Sequence, residues 1–247
     1  MFKRTFIYLL LVPFFLQSQE NKYSLKGIFL DLNLASGTPF GQLAERFGSH
    51  LSVGSGLGYQ PSKGLDFGIK FQYFFSRNVK EDVLEPYKTN FGQLIGEDFL
   101  MTDVVLRERG YSIHAFTGGL IPFGSQSKNR QGIRWMIGPG FLQHHIRIQD
   151  DARAATQLYS DFGRGLDRLS YGFSAVGFLG YELKSMNGRI NFYAGIESVF
   201  GFTEGRRQWN YDLAQSDFGK SRNDNFIQFK IGWYLPFFFK NSDVIEY

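Results

Sequence analysis

The chain has 247 residues, no cysteine, 29 glycines and an aromatic content of 18%, with 28 Phe and 13 Tyr. Its net charge of +4 comes from 27 basic and 23 acidic side chains, a balance too even for a nucleic-acid-binding surface. Without cysteine there is no disulfide, no thiol chemistry and no lipid anchor through a modified Cys.

At the N-terminus, Lys3 and Arg4 precede an apolar run from Phe6 to Leu16 that is broken by Pro13, and Gln17-Ser18-Gln19 offers a small residue for cleavage. This is the layout of a secretory signal peptide, expected over residues 1–18, with 19–247 as the exported chain. Beyond it, no stretch reaches the ~20 consecutive apolar residues of a membrane-spanning helix.

The exported chain alternates apolar and polar residues with a period of two, the pattern of strands. Residues 27–35 set Ile28, Leu30, Leu32 and Leu34 opposite Phe29, Asp31 and Asn33. Residues 49–59 set Leu51, Val53, Leu57 and Tyr59 opposite His50, Ser52 and three glycines. The clearest case is 65–75, with Leu65, Phe67, Ile69, Phe71, Tyr73 and Phe75 on one face and Asp66, Gly68, Lys70, Gln72 and Phe74 on the other. Residues 111–121 alternate less well and slip near Thr117-Gly118-Gly119, where a bulge is expected. Segments 133–142, 171–183, 189–202 and 226–237 repeat the pattern. Pro139, between Gly138 and Gly140, demands an irregularity in the first of these.

Three connections are tight (61–64, 125–132 and 185–188), with Asn187-Gly188 carrying hairpin chemistry. Four are long: roughly 36–48, 76–110, 150–169 and 203–225. An even strand count with short and long connections in strict alternation predicts an all-β, transmembrane, antiparallel up-and-down barrel of eight strands, with short periplasmic turns and long extracellular loops. A soluble lipocalin-like barrel is the alternative.

The inward positions carry Asp31, Asp66, Glu182 and Glu197 against Lys70, Arg134, Arg189 and Lys230. An eight-stranded barrel is just wide enough for side chains to fill. Four acids and four bases in so narrow a space predict a salt-bridge network that plugs the lumen, against the alternative of a narrow polar conduit.

Chemistry has few candidates. The pair His144-His145 lies near Asp150, Asp151 and Ser160, which would supply a base, an orienting carboxylate and a nucleophile for a hydrolase or acyltransferase. Neighbours on a strand face opposite ways, so at most one of the two histidines can serve. No nucleophile elbow, zinc motif or phosphate loop is present, and neither a cofactor nor a metal is expected. The long loops instead combine Tyr159, Phe162, Arg164 and Arg168 with Arg206, Arg207, Trp209 and Tyr211, residue types favoured at protein interfaces. The competing reading is a loop cluster that packs on itself or touches lipopolysaccharide.

Two resemblances add to this. Lys230, Gly232, Leu235 and Phe237 resemble the C-terminal signal read by the bacterial barrel-assembly machinery, here followed by a tail over 238–247 that would be periplasmic. The segments His145–Asp151, Gly163–Arg168, Tyr171-Gly172 and Ile190–Gly195 resemble a family of small outer-membrane barrels widespread in Bacteroidota. That resemblance implies an accessory subunit of an outer-membrane machine, such as the barrel-assembly machinery or the type IX secretion system. The expected function is therefore a non-enzymatic structural or interaction subunit that docks through loops and barrel wall. Its partners would be outer-membrane lipid, lipopolysaccharide and other outer-membrane proteins. A surface adhesin, a narrow channel or a lipid-modifying enzyme are the alternatives.

Overall fold

A computed structural model of the protein describes residues 26–61, 64–123, 129–185 and 191–238. The strands are β1 (Gly27–Gly41), β2 (His50–Gln60), β3 (Asp66–Ser76), β4 (Leu94–Ile95), β5 (Met101–Thr102), β6 (Val104–Pro122), β7 (Asn129–Asp150), β8 (Ser170–Ser185), β9 (Asn191–Gly205) and β10 (Ser221–Phe238). Eight of them close into an antiparallel barrel in the order β1-β10-β9-β8-β7-β6-β3-β2, while β4 and β5 form a separate small hairpin. No helix is long and apolar enough to cross a membrane among the described residues.

The register can be followed once around the wall. From Thr38 it runs through Ile227, Ser198, Gly177, Ile137, Thr117, Phe67 and Tyr59 to Ile28, ten residues earlier on β1 than it began. That stagger tilts the strands by roughly 35–45° and leaves an interior that side chains alone can fill.

The two faces obey the period of two. Outward-pointing Ile69, Leu179 and Phe229 are 60%, 61% and 58% exposed, which only a lipid surround makes favourable for a continuous apolar band. Aromatic residues mark its two margins. Toward the loops, Tyr111 packs against Phe71 and Phe141, and Phe141 against Tyr171. Toward the turns, Tyr59 packs on Phe67, Phe123 on Tyr181 and Phe192 on Trp233. Such girdles sit where hydrocarbon gives way to headgroups. The architecture is a transmembrane up-and-down β-barrel with all its long loops at one end.

Three details differ from expectation. No bulge interrupts the β6–β7 register at 117–119: Thr117 faces Ile137 and Gly118 faces Met136 in continuation of His114 facing Gly140. Gly118 needs no bulge because it lies inward against the Trp135 carbonyl, where a Cβ would come within 2.3 Å. Pro139 drops out of pairing with β6 but stays opposite Ala175 of β8, so one lost amide is absorbed without a shift. Finally, the strands outrun the predicted segments, most of all β6 and β7, which stay paired up to Val104 and Asp150. There the outward positions become Arg107, Arg109, His145 and Arg147. Past the hydrocarbon, a polar outer face is favoured and the apolar alternation disappears while the ladder continues.

The signal peptide, the Asn187-Gly188 turn, Arg189 and the tail after Phe238 lie outside the described residues.

Candidate functional site

The lumen is filled in tiers. At its centre the Glu197 carboxylate receives Lys70, Lys230 at 2.7 Å and the Gln228 amide at 2.8 Å. Lys230 also donates to Gln72 at 3.0 Å, Gln72 to Ser52 at 2.9 Å, and Ser52 to Gln228 at 2.9 Å, which closes a ring. Asp31 accepts from Asn33 at 2.9 Å and from the Tyr193 hydroxyl at 3.0 Å. Toward the turns, Arg134 pairs with Asp66 and lies 3.5 Å from Glu182. Lys184 sits 3.3 Å from Glu182, donates to Gln60 at 3.0 Å, and lies over the rings of Phe29 and Tyr234. The structure thus brings seven of the eight charged residues singled out in the sequence into the lumen. Gln72 and Gln228, which the alternation already places on inward faces, belong to the same network, and so does Lys184, one residue past the predicted segment 171–183.

Of the four residues resembling an assembly signal, Lys230 and Gly232 point inward and Leu235 and Phe237 outward. Gly232 is required there, since a Cβ would come 2.2 Å from the Tyr193 ring. Lys230 is an integral member of the central ring.

The mouth is closed from within the chain. A short helix, α1 (Leu43–Arg46), turns down from the end of β1 and places fully buried Leu43 and Phe47 among Phe74, Leu142, Val199 and Phe226. Its entry is tied to β10, with Gln42 N–H donating to Asn223 O at 3.1 Å and Arg222 donating to Gln42 O at 2.9 Å. Above it the second loop (77–103), the third (151–169) and the fourth (206–220) fold together into a dome. Val83, Leu84, Leu94, Ala155, Leu158 and Leu166 extend the same apolar core upward.

One residue knots the loops. Arg168, in the left-handed region with φ 52°, donates to Glu81 of the second loop at 2.6 Å and to Asp212 of the fourth at 2.9 and 2.5 Å. Glu81 also holds Arg46 at 3.0 Å, and Arg46 reaches Ser170 at 3.1 Å. Burial pushes the Arg168 guanidinium toward deprotonation, but the hydrogen bonds to Asp212 and Glu81 outweigh it and hold its pKa above the ordinary value.

The loop residues proposed as an interface therefore divide. Arg168 is buried, Phe162 lies between Tyr87 and Tyr211, Arg207 pairs with Asp167 at 2.5 Å, and Arg206 lies over Tyr171. These four hold the dome together. Tyr159, Arg164, Trp209 and Tyr211 remain on its surface. The dome's most exposed apolar side chains are others: Phe99 at 88%, Phe91 at 78%, Leu100 at 65% and Phe218 at 60%. Phe99 sits in the turn of the β4–β5 hairpin with φ 59°, a strained conformation for an aromatic residue.

The histidines do not assemble into a catalytic trio. His144 faces inward and meets Asp224 of β10 at 2.8 Å, and Asp224 also accepts from Thr203 at 2.5 Å. His145 faces outward on the same strand. Asp150 is committed to Ala155 N–H at 2.8 Å and to Tyr159, and Ser160 caps a second short helix, α2 (Asp161–Arg164). His114 shares a hydrogen bond of 2.9 Å with Ser174 deep in the lumen, and both are buried. His50 and Glu108 face each other at 4.0 Å in the upper lumen, with His50 packed against the rings of Phe74 and Phe226.

No family model matches the chain, and no curated protein sequence is similar to it. Among solved structures it is similar to neisserial surface protein A, at 13% identity over 85% of this chain and 97% of that one, with a TM-score of 0.45. The N-terminal barrel domain of Pseudomonas aeruginosa OprF aligns at 11% identity over 85% and 98%, with a TM-score of 0.37. Ail, the attachment invasion locus protein of Yersinia pestis, aligns at 10% over 85% and 99%, with a TM-score of 0.38. Likeness at this level adds nothing to what the barrel's own geometry establishes.

Proposed function

We propose that the chain is a non-enzymatic barrel of a bacterial outer membrane that presents its dome to a protein partner as a subunit of a larger outer-membrane assembly. The observation that carries this is the division within the loops. They hold a completed apolar core of their own and yet expose Phe91, Phe99, Leu100 and Phe218 at the surface. A dome that served only to seal the mouth would have no use for large apolar side chains in water, and exposed groups of this kind mark binding surfaces. The export signal and the lipid-facing band support the placement in the outer membrane. A role beside the barrel-assembly machinery or the type IX secretion system is what the family resemblance implies. An enzyme is disfavoured because each buried histidine lies below the dome, away from solvent, and a conduit because side chains fill the lumen.

The test is affinity capture from native membranes in mild detergent. The wild-type protein is expected to retain a stoichiometric outer-membrane partner, and Phe99→Ser with Leu100→Ser and Phe218→Ser to lose it while the barrel stays folded. Capture of the same partner by the triple variant, or of no partner by the wild type, counts against the reading.

A further inference from the structure

On the outer wall, just above the loop-side aromatic girdle, one cross-strand row runs from Ser36 to Leu51, Phe75, Arg109 and His145. One outward position higher, Arg107 of β6 lies directly opposite Arg147 of β7. Arg77 follows the end of β3 beside them, and a cleft of about 420 Å³ is shared by Arg77, Arg107, Arg109 and the serines Ser36, Ser49 and Ser76. Like charges directly opposite on adjacent strands are destabilising. Among the described residues none of the four arginines has a carboxylate partner, in contrast to Arg206 and Arg207 with Glu204 and Asp167. The Arg107 Nε is buried without a hydrogen bond. Arg109 donates to its neighbour's carbonyl, Glu108 O, at 2.8 Å and lies over the Phe75 ring, which leaves the rest of its guanidinium facing the cleft.

We propose that this cleft binds the phosphate of a phosphorylated glycolipid in the outer leaflet. Height and chemistry both point to a lipid. Each outward position lies about 7 Å further along the strand, so Arg109 and Arg107 stand one and two steps beyond Tyr111 of the girdle, at the level of headgroups. Three guanidinium groups and the Ser36 and Ser49 hydroxyls match the oxygens of phosphate and sugar, while the Ser76 hydroxyl donates to Ser49 O and accepts from Asn78 N–H. Beside Arg109 in its row lie the exposed Leu51 and the Phe75 ring, and Phe71 below them continues an apolar floor along which acyl chains can run. A soluble protein partner would meet the dome before it reached a cleft at the lipid boundary. The site rests on the outer-membrane placement proposed above.

The experiment titrates the full-length protein, folded in detergent micelles, with diphosphoryl lipid A, monophosphoryl lipid A and inorganic phosphate, and reads bound ligand by native mass spectrometry. Diphosphoryl lipid A is expected to bind most tightly, and each of Arg107→Gln and Arg109→Gln to weaken it by about tenfold. Arg107→Lys should restore part of the affinity, and Arg164→Gln on the dome should leave it unchanged. Because a rim variant can fold poorly, salt supplies a second measure: wild-type binding should fall as sodium chloride rises, since exposed charges are screened. Binding that ignores salt, variants with wild-type affinity, or inorganic phosphate that binds as tightly and displaces the lipid would each overturn the proposal. A wild-type barrel that captures a protein partner yet ignores lipid A overturns the rim site and leaves the dome reading standing.

Discussion

Glu197 shows how a single residue holds the interior of the barrel. It is the shared acceptor for two lysines in a lumen where neither can reach water. Removing one partner from such a group leaves a buried charge uncompensated, at a cost of about 3–5 kcal/mol. Glu197→Gln would leave Lys70 and Lys230 facing each other across a neutral amide, and is expected to lower the unfolding free energy, read from urea titration in micelles, by that much. A loss below about 1 kcal/mol would mean that the ring of Gln72, Ser52 and Gln228 alone holds the tier. On the opposite face of β3, Ile69→Arg puts a cation into hydrocarbon near the midplane and should cost about 2–4 kcal/mol, while Ile69→Val should cost under about 1.5. Gln72 is a poor comparator for such a change. It lies buried in the ring, accepting from Lys230 and donating to Ser52, so an arginine there would add a third cation to the tier.

At the scale of elements, the loops behave as one folded unit because Arg168 ties three of them. Arg168→Ala removes the cation paired with Asp212 and leaves Glu81 with Arg46 alone, which unties the second loop from the fourth. The dome should become sensitive to limited proteolysis within 77–103 and 206–220, while the barrel keeps its heat-modifiable gel mobility, since wall pairing does not involve these side chains. A dome that resists protease as well as the wild type would assign its stability to the apolar core alone. The contrast between wall and dome also explains what was legible in the sequence. Strands facing lipid on one side and lumen on the other write their period into the residues, so Ile28 to Leu34 and Ile227 to Phe237 could be read directly. Above the membrane the period-two signal fails, and the upper ends of β6 and β7 looked like loop although these are the longest strands. The inward charges could be named, because an acid or base on an alternating strand can face only the lumen. Their partners could not, since Lys70 and Glu197 meet across 127 residues and the pairing depends on register. For the same reason Asp150 and Asp151, near His144 in sequence, stood in for Asp224, which is near it in space.

For the whole molecule, eight strands with a stagger of ten residues enclose a lumen that has no room to spare, and it is obstructed at the mouth and in the middle, above the buried tier of Arg134, Asp66 and Glu182. Leu43 and Phe47 stop the mouth with apolar side chains, and the ring around Glu197 stops the middle with paired ones. The two obstructions share no side chain. Opening the mouth therefore exposes the upper lumen, with His50 and Glu108, to solvent but leaves the central ring intact. Ions would still have to displace Lys70 and Lys230 from Glu197, which costs the pairing energy of a buried network. The expectation is that the wild-type protein in a planar bilayer shows no steady single-channel current, and that Leu43→Ala with Phe47→Ala shows none either. Adding Glu197→Ala and Lys230→Ala to the mouth variant should still give no current, because Arg134, Asp66 and Glu182 fill the lumen toward the turns. Steady conductance from the wild type would refute the filled lumen. Conductance from the mouth variant alone would place the whole barrier at α1 and reduce the charged ring to a lining.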